Sequence, residues 1–248
     1  MIKTKSMKIF GIGMNYAAHN REMQGLSPSP PSASEQQCAS PSAPSAPTPG
    51  CVSPSAVPPP TSPSRTAQPV VFTKADSALR TRGRPFFIPD FSERCDYETE
   101  LVVRISRLGR SIPLRFAHRY YDAVTVGIDF TARDLQASLR SQGLPWDLCK
   151  GFDGSAAVGQ FVPVEALSST IQDLHFHLDI NGHTVQQGHT ADMLFTVDEL
   201  VAFISQYFTL RTGDLIFTGT PAGIGPVHID DHLDGYLDGR HLLSFNVK

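Results

Sequence analysis

The chain has 248 residues, 40% of them hydrophobic and 18% charged, which is ordinary for a soluble globular protein with a sizeable core. Its 21 Lys and Arg residues against 24 Asp and Glu residues give a formal net charge of −3. Because no basic stripe is present, nucleic acid and anionic membrane surfaces are not expected partners. No stretch reaches transmembrane length, and four widely spaced cysteines (Cys38, Cys51, Cys95 and Cys149) argue against a zinc site or a disulfide scaffold. We therefore expect a reducing compartment, the cytoplasm.

The first predicted elements are a strand and a short helix that carries a histidine and a glutamate. Residues 8–13 are mostly apolar and run into a glycine turn, and residues 17–23 contain good helix formers. His19 and Glu22 are three positions apart and therefore share one helix face. A carboxylate orients a neighbouring imidazole and makes it more basic, as a general base requires. Such pairs are also common on exposed helices that have no role in chemistry.

A segment of different composition follows at residues 26–68. It holds 12 of the 20 prolines, is rich in Ser and Ala, contains no aromatic residue, and has Glu35 and Arg65 as its only charges. Such a segment cannot bury enough apolar surface to offset the entropy lost on ordering. We therefore predict that residues 1–25 begin a single domain, that 26–68 form a disordered insert, and that 69–248 complete the domain.

The stretch from 96 to 105 contains two acidic residues on one predicted strand. β-Branched and aromatic side chains are frequent there, and an apolar run follows the acidic start. Glu98 and Glu100 are two positions apart, so both side chains project from the same face. Two carboxylates this close repel each other unless a cation lies between them, and oxygen ligands favour magnesium, manganese or calcium over zinc. For an isolated Glu-x-Glu, a solvated strand face is the alternative.

The remaining predicted elements are strands and short helices in irregular succession. In chain order they are a strand at 69–74 that ends in Lys74, a helix at 113–121, a strand at 124–129 that ends in Asp129, a helix capped by Thr131, a glycine-rich loop at 150–154, a strand at 174–180 with a hairpin turn at 181–182, a helix with a capping box at 196–199, and strands at 215–217 and 242–247. His175 and His177 share one strand face, which we expect to meet solvent. Because strands outnumber helices without regular interleaving, the sequence predicts a mixed α+β fold.

Six motifs in this order resemble those of the fumarylacetoacetate hydrolase family over residues 8–25 and 69–248. They are Gly13-Met14-Asn15-Tyr16 leading to His19 and Glu22, Phe72-Thr73-Lys74, Tyr97-Glu98-Thr99-Glu100, the run from Asp129 to Gln136, Lys150-Gly151-Phe152-Asp153, and Thr218-Gly219-Thr220-Pro221. The resemblance implies a strand-rich mixed β roll of the family's C-terminal-domain type, with a few short helices. It also implies a homodimer.

The resemblance further implies a metal site. Three carboxylates match the family's metal ligands: Glu98, Glu100 and Asp129. Mg²⁺ is the expected ion, with Mn²⁺ or Ca²⁺ as substitutes. The expected substrate is a small 2-oxo acid.

Catalytic and substrate-binding residues follow from the same resemblance. His19 and Glu22 match a dyad that activates water, and Lys150 matches a lysine that meets the carboxylate or enolate of the substrate. The further expected substrate contacts are Arg133, Gln136, Thr220 and Lys74.

These residues predict a divalent-metal-dependent hydrolase that cleaves a C–C bond in acylpyruvate- or fumarylacetoacetate-like substrates through a stabilised enolate. The same enolate chemistry also permits oxaloacetate-type decarboxylation, keto–enol or 2-hydroxyhepta-2,4-dienedioate isomerisation, and 2-oxopent-4-enoate hydration. A hypothesis of another class is a non-catalytic scaffold whose proline-rich insert docks partners. The presence of the dyad and Lys150 together with all three metal carboxylates favours the enzyme.

Overall fold

A computed structural model describes residues 7–23 and 68–248, so the predicted insert lies outside the described residues apart from Gln68. The helices of the described residues are α1 (Ala17–Glu22), α2 (Arg133–Ser141), α3 (Asp147–Lys150) and α4 (Val197–Tyr207). Single 3₁₀ segments occur at Asp76–Ala78, Leu114–Arg119, Val164–Ala166 and Thr190–Asp192. Within these two ranges, no helix is both long enough and apolar enough to cross a membrane.

The strands of the described residues are short and numerous. They are β1 (Ile9–Gly13), β2 (Val70–Lys74), β3 (Cys95–Tyr97), β4 (Thr99–Ile105), β5 (Tyr121–Asp129), β6 (Thr131–Ala132), β7 (Ala156–Val158), β8 (Val162–Pro163), β9 (His175–Ile180), β10 (His183–His189), β11 (Leu215–Phe217), β12 (Gly225–Pro226), β13 (His232–Leu237) and β14 (Arg240–Asn246).

These strands form three sheets in the described part of the chain. The largest has seven strands in the order β2-β1-β11-β4-β5-β7, with β8 also paired to β5. A four-stranded sheet has the order β10-β9-β13-β14, and a small third sheet has the order β12-β3-β6. The pair β1–β11 is parallel and its neighbouring pairs are antiparallel, so the large sheet is mixed. The predicted strand-rich α+β fold with a few short helices is confirmed.

Strand β4 lies inside the large sheet and is buried on both faces. Leu101, Val103 and Ile105 belong to the main hydrophobic cluster. Val102 points to the opposite face and packs in a smaller cluster that contains Phe217. Fully burying a side chain of this kind contributes about 1.5–3 kcal/mol, so the strand is held firmly on both sides. This rigid strand is the one that carries Glu100.

The four-stranded sheet packs face to face on the large sheet. Phe176 and Leu178 of β9 are buried in the same cluster as Val126 of β5. A Cβ atom at Gly235 would lie 3.0 Å from Cγ1 of Val126, so the absence of a side chain there permits the close approach. His175 on the outer face of β9 is exposed, as predicted, whereas His177 on the same face is half-buried and stacks on Tyr236.

The predicted continuous strand at 96–105 is wrong, because the chain leaves regular strand structure at Glu98. The segment before Glu98, β3, pairs with β12 and β6, whereas β4 pairs with β5 and β11. The chain therefore passes from one sheet to another at this residue, and a single uninterrupted ladder cannot accommodate both sets of partners.

Two predicted helix features are also wrong. The helix expected at 113–121 is a 3₁₀ segment, Leu114–Arg119, because Tyr121 pairs with Ile105 at the start of β5. Thr131 does not cap α2, which begins at Arg133 after Ala132 without a side-chain cap. The Thr131 hydroxyl instead accepts a hydrogen bond from Lys150 Nζ at 2.6 Å.

Candidate active site

Three buried carboxylates converge where the large sheet meets the small third sheet. Glu98 occupies the break between β3 and β4, Glu100 is the second residue of β4, and Asp129 is the last residue of β5. One oxygen of each carboxylate lies within 4.8 Å of an oxygen of the other two. The main-chain N–H of Asp129 donates to the carbonyl of Glu98 at 2.8 Å, which joins the two segments. The structure thus brings together the three residues that the sequence analysis proposed as metal ligands.

Lys150, the last residue of α3, bridges two of these carboxylates. Its Nζ donates to Glu98 Oε2 at 2.7 Å and to Asp129 Oδ2 at 2.9 Å. Burial by itself would lower the pKa of Lys150, but the Asp129 and Glu98 carboxylates raise it above its usual range. Lys150 is therefore a fixed positive charge inside the site.

Glu98, in contrast, is a carboxylate surrounded by positive charges. Burial by itself would raise its pKa, but the positive charges of Lys150 and Arg133 hold the pKa of this carboxyl well below its usual range. Arg133 Nη2 donates to Glu98 Oε1 at 2.6 Å, so both oxygens of Glu98 contact a cation. Glu98 is consequently ionised at neutral pH.

Glu100 differs from its neighbours because no lysine or arginine in the described residues forms an ion pair with it. Its one hydrogen bond in that part of the chain comes from the main-chain N–H of Gly219, at 2.7 Å to Oε2. Burial, followed by the repulsion of Asp129 and Glu98, raises the pKa of Glu100 well above its usual range. A buried carboxylate in this position needs a proton or a cation beside it. Three converging carboxylate oxygens therefore fit a divalent cation that prefers oxygen ligands.

Lys74 lies behind Asp129. Its Nζ is 2.6 Å from Asp129 Oδ1, and it also donates to Ser155 Oγ at 3.0 Å and to the main-chain carbonyl of Lys150. Burial lowers the pKa of Lys74, against the opposing effect of Asp129. Lys74 is thus placed to orient Asp129 and α3, away from the cavity described below. The proposed contact between Lys74 and substrate stays a prediction.

Arg133 is held by a carboxylate that the sequence analysis did not single out. Asp96 is fully buried and accepts hydrogen bonds from Arg133 Nε and Arg94 Nε, both at 2.8 Å. Arg133 Nη1 also donates to Gln136 Oε1 at 2.5 Å. The spacing of Asp96, two residues before Glu98 in the acidic segment, is the signal that could have identified it.

Thr220 is fixed in the turn that follows β11. Its hydroxyl donates to the carbonyl of Thr99 at 2.9 Å and accepts from Gln186 Nε2 at 2.8 Å. Gln186 Oε1 in turn accepts from the N–H of Thr99 at 2.9 Å. Gly219 has φ +101°, a conformation that L side chains rarely adopt, and this allows the turn to present its N–H to Glu100. Gln186 comes from β10, and no local pattern in the sequence distinguishes it.

The His19/Glu22 pair forms on α1 at the other side of the site. His19 Nδ1 lies 3.4 Å from Glu22 Oε2, and the N–H of Gly223 donates to Glu22 Oε1 at 3.2 Å. Asn15, just before the helix, donates to the carbonyl of Thr218 at 2.7 Å and so ties α1 to the turn that holds Thr220. Burial lowers the pKa of His19, although Glu98 and Glu22 oppose this shift. His19 is therefore a neutral imidazole at neutral pH, as a general base must be.

One cavity of about 690 Å³, including its open mouth, is lined by several of these groups, but Glu22, Lys74, Glu100 and Asp129 are not among its lining residues. Its lining includes charged and polar side chains that the sequence analysis proposed: His19, Glu98, Arg133, Gln136, Lys150 and Thr220. Its apolar wall includes Phe72 and Trp146, whose rings meet edge to face with centroids 6.0 Å apart. Arg140 also lines the cavity, and neither it nor Trp146 was proposed from the sequence. The arrangement places a candidate site for a divalent cation, the fixed charge of Lys150 and a neutral histidine beside one small-molecule pocket.

The model of the fumarylacetoacetate (FAA) hydrolase C-terminal family matches residues 8–245. Among curated proteins, the chain is 36% identical over 182 residues to mitochondrial oxaloacetate tautomerase FAHD1 of Mus musculus, which covers 73% of this chain and 82% of the relative. The predicted resemblance is therefore found over almost the whole chain.

Solved structures of similar fold carry related names. The fumarylpyruvate hydrolase from Pseudomonas aeruginosa, solved in complex with Mn²⁺ and pyruvate, superposes with a TM-score of 0.76 and 29% identity over 100% of this chain and 93% of that chain. The 5-carboxymethyl-2-hydroxymuconate delta-isomerase from Mycobacterium smegmatis gives a TM-score of 0.70 and 26% identity over 98% and 78% of the two chains. Hydrolase and isomerase names thus occur on one fold.

Proposed function

The chain belongs to the fumarylacetoacetate hydrolase family, and on that premise we propose that it is a divalent-metal-dependent hydrolase of acylpyruvate-type 2-oxo acids. The observation that carries this proposal is a buried cluster of three carboxylates, one of which, Glu98, lines one cavity together with Lys150 and a neutral His19. We propose Mg²⁺ as the resident ion, with Mn²⁺ or Ca²⁺ as substitutes. The Mn²⁺ named in the P. aeruginosa hydrolase supports a divalent ion.

Glu98, Glu100 and Asp129 would hold the ion through their converging oxygens. A divalent cation held there would supply Lewis-acid stabilisation of the negative charge that develops on a 2-oxo acid. Lys150 contributes a second positive charge at the same place, where an enolate oxygen would form. Arg133, Gln136 and Thr220 line the same cavity and are proposed to orient the substrate.

His19 is proposed as the general base for hydrolysis. Its neutral imidazole can take a proton from a water molecule as that water attacks the distal carbonyl of a 1,3-dicarbonyl substrate. The C–C bond between this carbonyl carbon and the pyruvate methylene then breaks, its electron pair forms the pyruvate enolate, and the acyl fragment leaves as a carboxylic acid. The proton held by His19 passes to the enolate carbon, which gives pyruvate and restores the neutral imidazole. Glu22, 3.4 Å from Nδ1, orients the ring and stabilises the protonated imidazole.

Keto–enol tautomerisation of oxaloacetate is the second candidate, since the murine relative carries that name. It uses the same enolate but requires no attacking water and breaks no C–C bond. Decarboxylation, double-bond isomerisation and hydration are further reactions that the same enolate-stabilising groups permit. His19 as a base for an attacking water distinguishes hydrolysis from tautomerisation and decarboxylation, in which no water attacks.

The proposal is tested by measuring pyruvate release from acetylpyruvate and turnover of oxaloacetate, each with Mg²⁺ and with EDTA, for wild type and His19→Ala. We expect His19→Ala to lower acetylpyruvate cleavage by about 10²- to 10⁴-fold, as is typical for loss of a general base, while part of the oxaloacetate turnover persists. Turnover of oxaloacetate alone, unchanged by His19→Ala, would replace hydrolysis with tautomerisation or decarboxylation as the function.

The pH profile of acetylpyruvate cleavage provides an independent prediction. Protonation of His19 removes the base, so the rate falls as pH falls through the pKa of this residue. Because burial lowers that pKa, we expect the acid limb of kcat/KM to have its midpoint below 6.5, the ordinary histidine value. Glu22→Gln removes a negative charge that raises the pKa and should move the midpoint lower still. A midpoint above the ordinary value would contradict His19 as the base.

A homodimer and a cytoplasmic location remain proposals for this chain. Cys95 and Cys149 are free and buried, which accords with a reducing compartment.

A further inference from the structure

Arg80 is a buried arginine that lies outside the lining of the active-site cavity. Only 8% of its surface is exposed, and it follows the 3₁₀ segment Asp76–Ala78. Its main-chain N–H donates to the carbonyl of Ala156 at 2.8 Å, which holds it against the start of β7. Burial lowers the pKa of Arg80, but a guanidinium stays charged at neutral pH even so. Arg80 therefore carries a positive charge below the protein surface.

The charge of Arg80 is only partly compensated. Nη1 donates to the carbonyl of Thr81 at 3.3 Å and to that of Arg84, and the guanidinium lies 4.0 Å from the ring centroid of Phe245. No carboxylate of residues 7–23 or 68–248 pairs with it, and none opposes the effect of burial on its pKa. In the same ranges Nε is buried without a hydrogen-bond partner, and Nη2 forms no hydrogen bond either. One edge of the guanidinium thus lacks acceptors.

Two other arginines show what this edge binds in the same protein. Nε and Nη2 of Arg94 donate to the two oxygens of Asp96, at 2.8 and 3.3 Å. Nε and Nη2 of Arg104 donate to the two oxygens of Asp122, at 2.9 and 3.0 Å. This side-on geometry matches two oxygens of a carboxylate or a phosphate group. The corresponding edge of Arg80 has the same donors and no such partner in the described residues.

A second cavity, of about 710 Å³ including its open mouth, lies beside Arg80. It shares no lining residue with the active-site cavity. The exposed side chain of Arg84 also lines it, together with Ser77 and Thr81, which carry hydroxyl groups. Asp153 is the one acidic residue among the described residues of this lining. Two cations against one carboxylate give the cavity a net positive charge.

The turn at 81–84 fixes the orientation of the Arg80 guanidinium. The N–H of Arg84 donates to the carbonyl of Thr81 at 3.2 Å, and Gly83 has φ +79°, which glycine adopts without strain. The turn brings both carbonyl acceptors to Nη1 and leaves the other edge of the guanidinium unpaired. Donors that are held in place before a ligand arrives lower the cost of binding.

We propose that Arg80 and Arg84 form a second binding site, for a small molecule that carries a carboxylate or phosphate group. The guanidinium of Arg80 supplies N–H groups that lack an acceptor, and Arg84 supplies a second positive charge. A buried cation without an anionic partner is unfavourable, so an oxyanion that binds there compensates a charge that the described chain leaves unpaired. The site is separate from the one proposed for catalysis.

The test follows the Tm of the Mg²⁺-loaded protein as inorganic phosphate or acetate is added at constant ionic strength. An anion that binds only the folded protein raises Tm as its concentration increases. We expect wild type to respond to at least one of the two anions, which identifies phosphate or carboxylate as the preferred group. Arg80→Met should lose this response, apart from any rise due to binding in the active-site cavity. Arg84→Met should weaken the apparent affinity by about five- to tenfold, a typical effect for one partly exposed charge-assisted contact.

Arg82→Met is the charge-matched control, because Arg82 is exposed in the same turn but lines neither cavity. It should keep the wild-type response, whereas Asp153→Asn removes the opposing carboxylate and should strengthen binding. The inference is overturned if neither anion raises Tm, if Arg80→Met responds as wild type does, or if Arg82→Met loses as much affinity as Arg84→Met. Should Arg80→Met fail to fold, the two exposed positions decide: opposite changes in Arg84→Met and Asp153→Asn support the site, and unchanged affinity in both overturns it.

Discussion

Glu100→Gln is expected to abolish Mn²⁺ binding without destabilising the metal-free protein. Glu100 is buried beside Glu98 and Asp129 and forms no ion pair in the described residues. Its negative charge is therefore unfavourable in the metal-free protein and becomes favourable only when a cation is bound. Glutamine keeps the side-chain oxygen that accepts the Gly219 N–H but removes the repulsion. At a metal concentration near 100 times the dissociation constant, wild type should gain about 5–10 °C in Tm, and the variant should gain none.

The measurement is a thermal melt of EDTA-treated protein with and without added Mn²⁺. Glu165→Gln provides the charge-matched control, since Glu165 is exposed in a surface 3₁₀ segment. This control should show the full increase in Tm. If metal-free Glu100→Gln melts well below metal-free wild type, Glu100 has a structural role and the assignment of the triad as a cation site loses its main support.

Lys150→Met is expected to lower turnover by about 10²- to 10³-fold, the usual effect of removing one group that stabilises developing negative charge. The same variant should bind Mn²⁺ at least as tightly as wild type. Lys150 Nζ contacts oxygens of both Glu98 and Asp129, so its removal leaves these carboxylates more strongly negative toward a cation. Opposite changes in turnover and metal affinity distinguish an enolate-stabilising lysine from one that only supports the fold.

Steady-state kinetics with acetylpyruvate and calorimetric titration with Mn²⁺ measure the two quantities. Lys8→Met is a suitable control, because Lys8 also pairs with a buried carboxylate, Asp214, but lies outside the cavity lining. Its turnover should remain near that of wild type. Parallel losses of turnover and metal binding in Lys150→Met would show that the lysine acts by holding the carboxylates in place.

That the carboxylates, Lys150 and the dyad lie near one another could be predicted because each lies in a short motif, and six motifs occur in one order. Strand β5 and the capping box of α4 could also be predicted, because the alternation of apolar residues and the capping pattern are local properties of the sequence. The break at Glu98 could not be predicted, because it depends on which strands pair on either side of this residue. Local propensity in this segment favours an uninterrupted strand.

The residues that the sequence analysis missed act through tertiary contacts. Gln186 reaches Thr220 and Thr99 from β10, and its surroundings in the sequence are those of an ordinary exposed hairpin strand. Thr131 has the pattern of a helix cap, but the buried ammonium of Lys150 takes its hydroxyl. A buried charge gains more from such a hydrogen bond than a helix end exposed to solvent does. The ion pair between Lys74 and Asp129 also depends on the folded chain, although each residue was proposed for the site on its own.

The rate of pyruvate release from acetylpyruvate, measured on protein stripped of metal and then reloaded with Mg²⁺ or Mn²⁺, tests the central claim most directly. The site described here predicts that activity disappears on stripping, returns on reloading, and does not return in Glu100→Gln. Undiminished cleavage by protein verified to be free of metal, or full activity in Glu100→Gln, would contradict a carboxylate-held cation as the centre of the reaction.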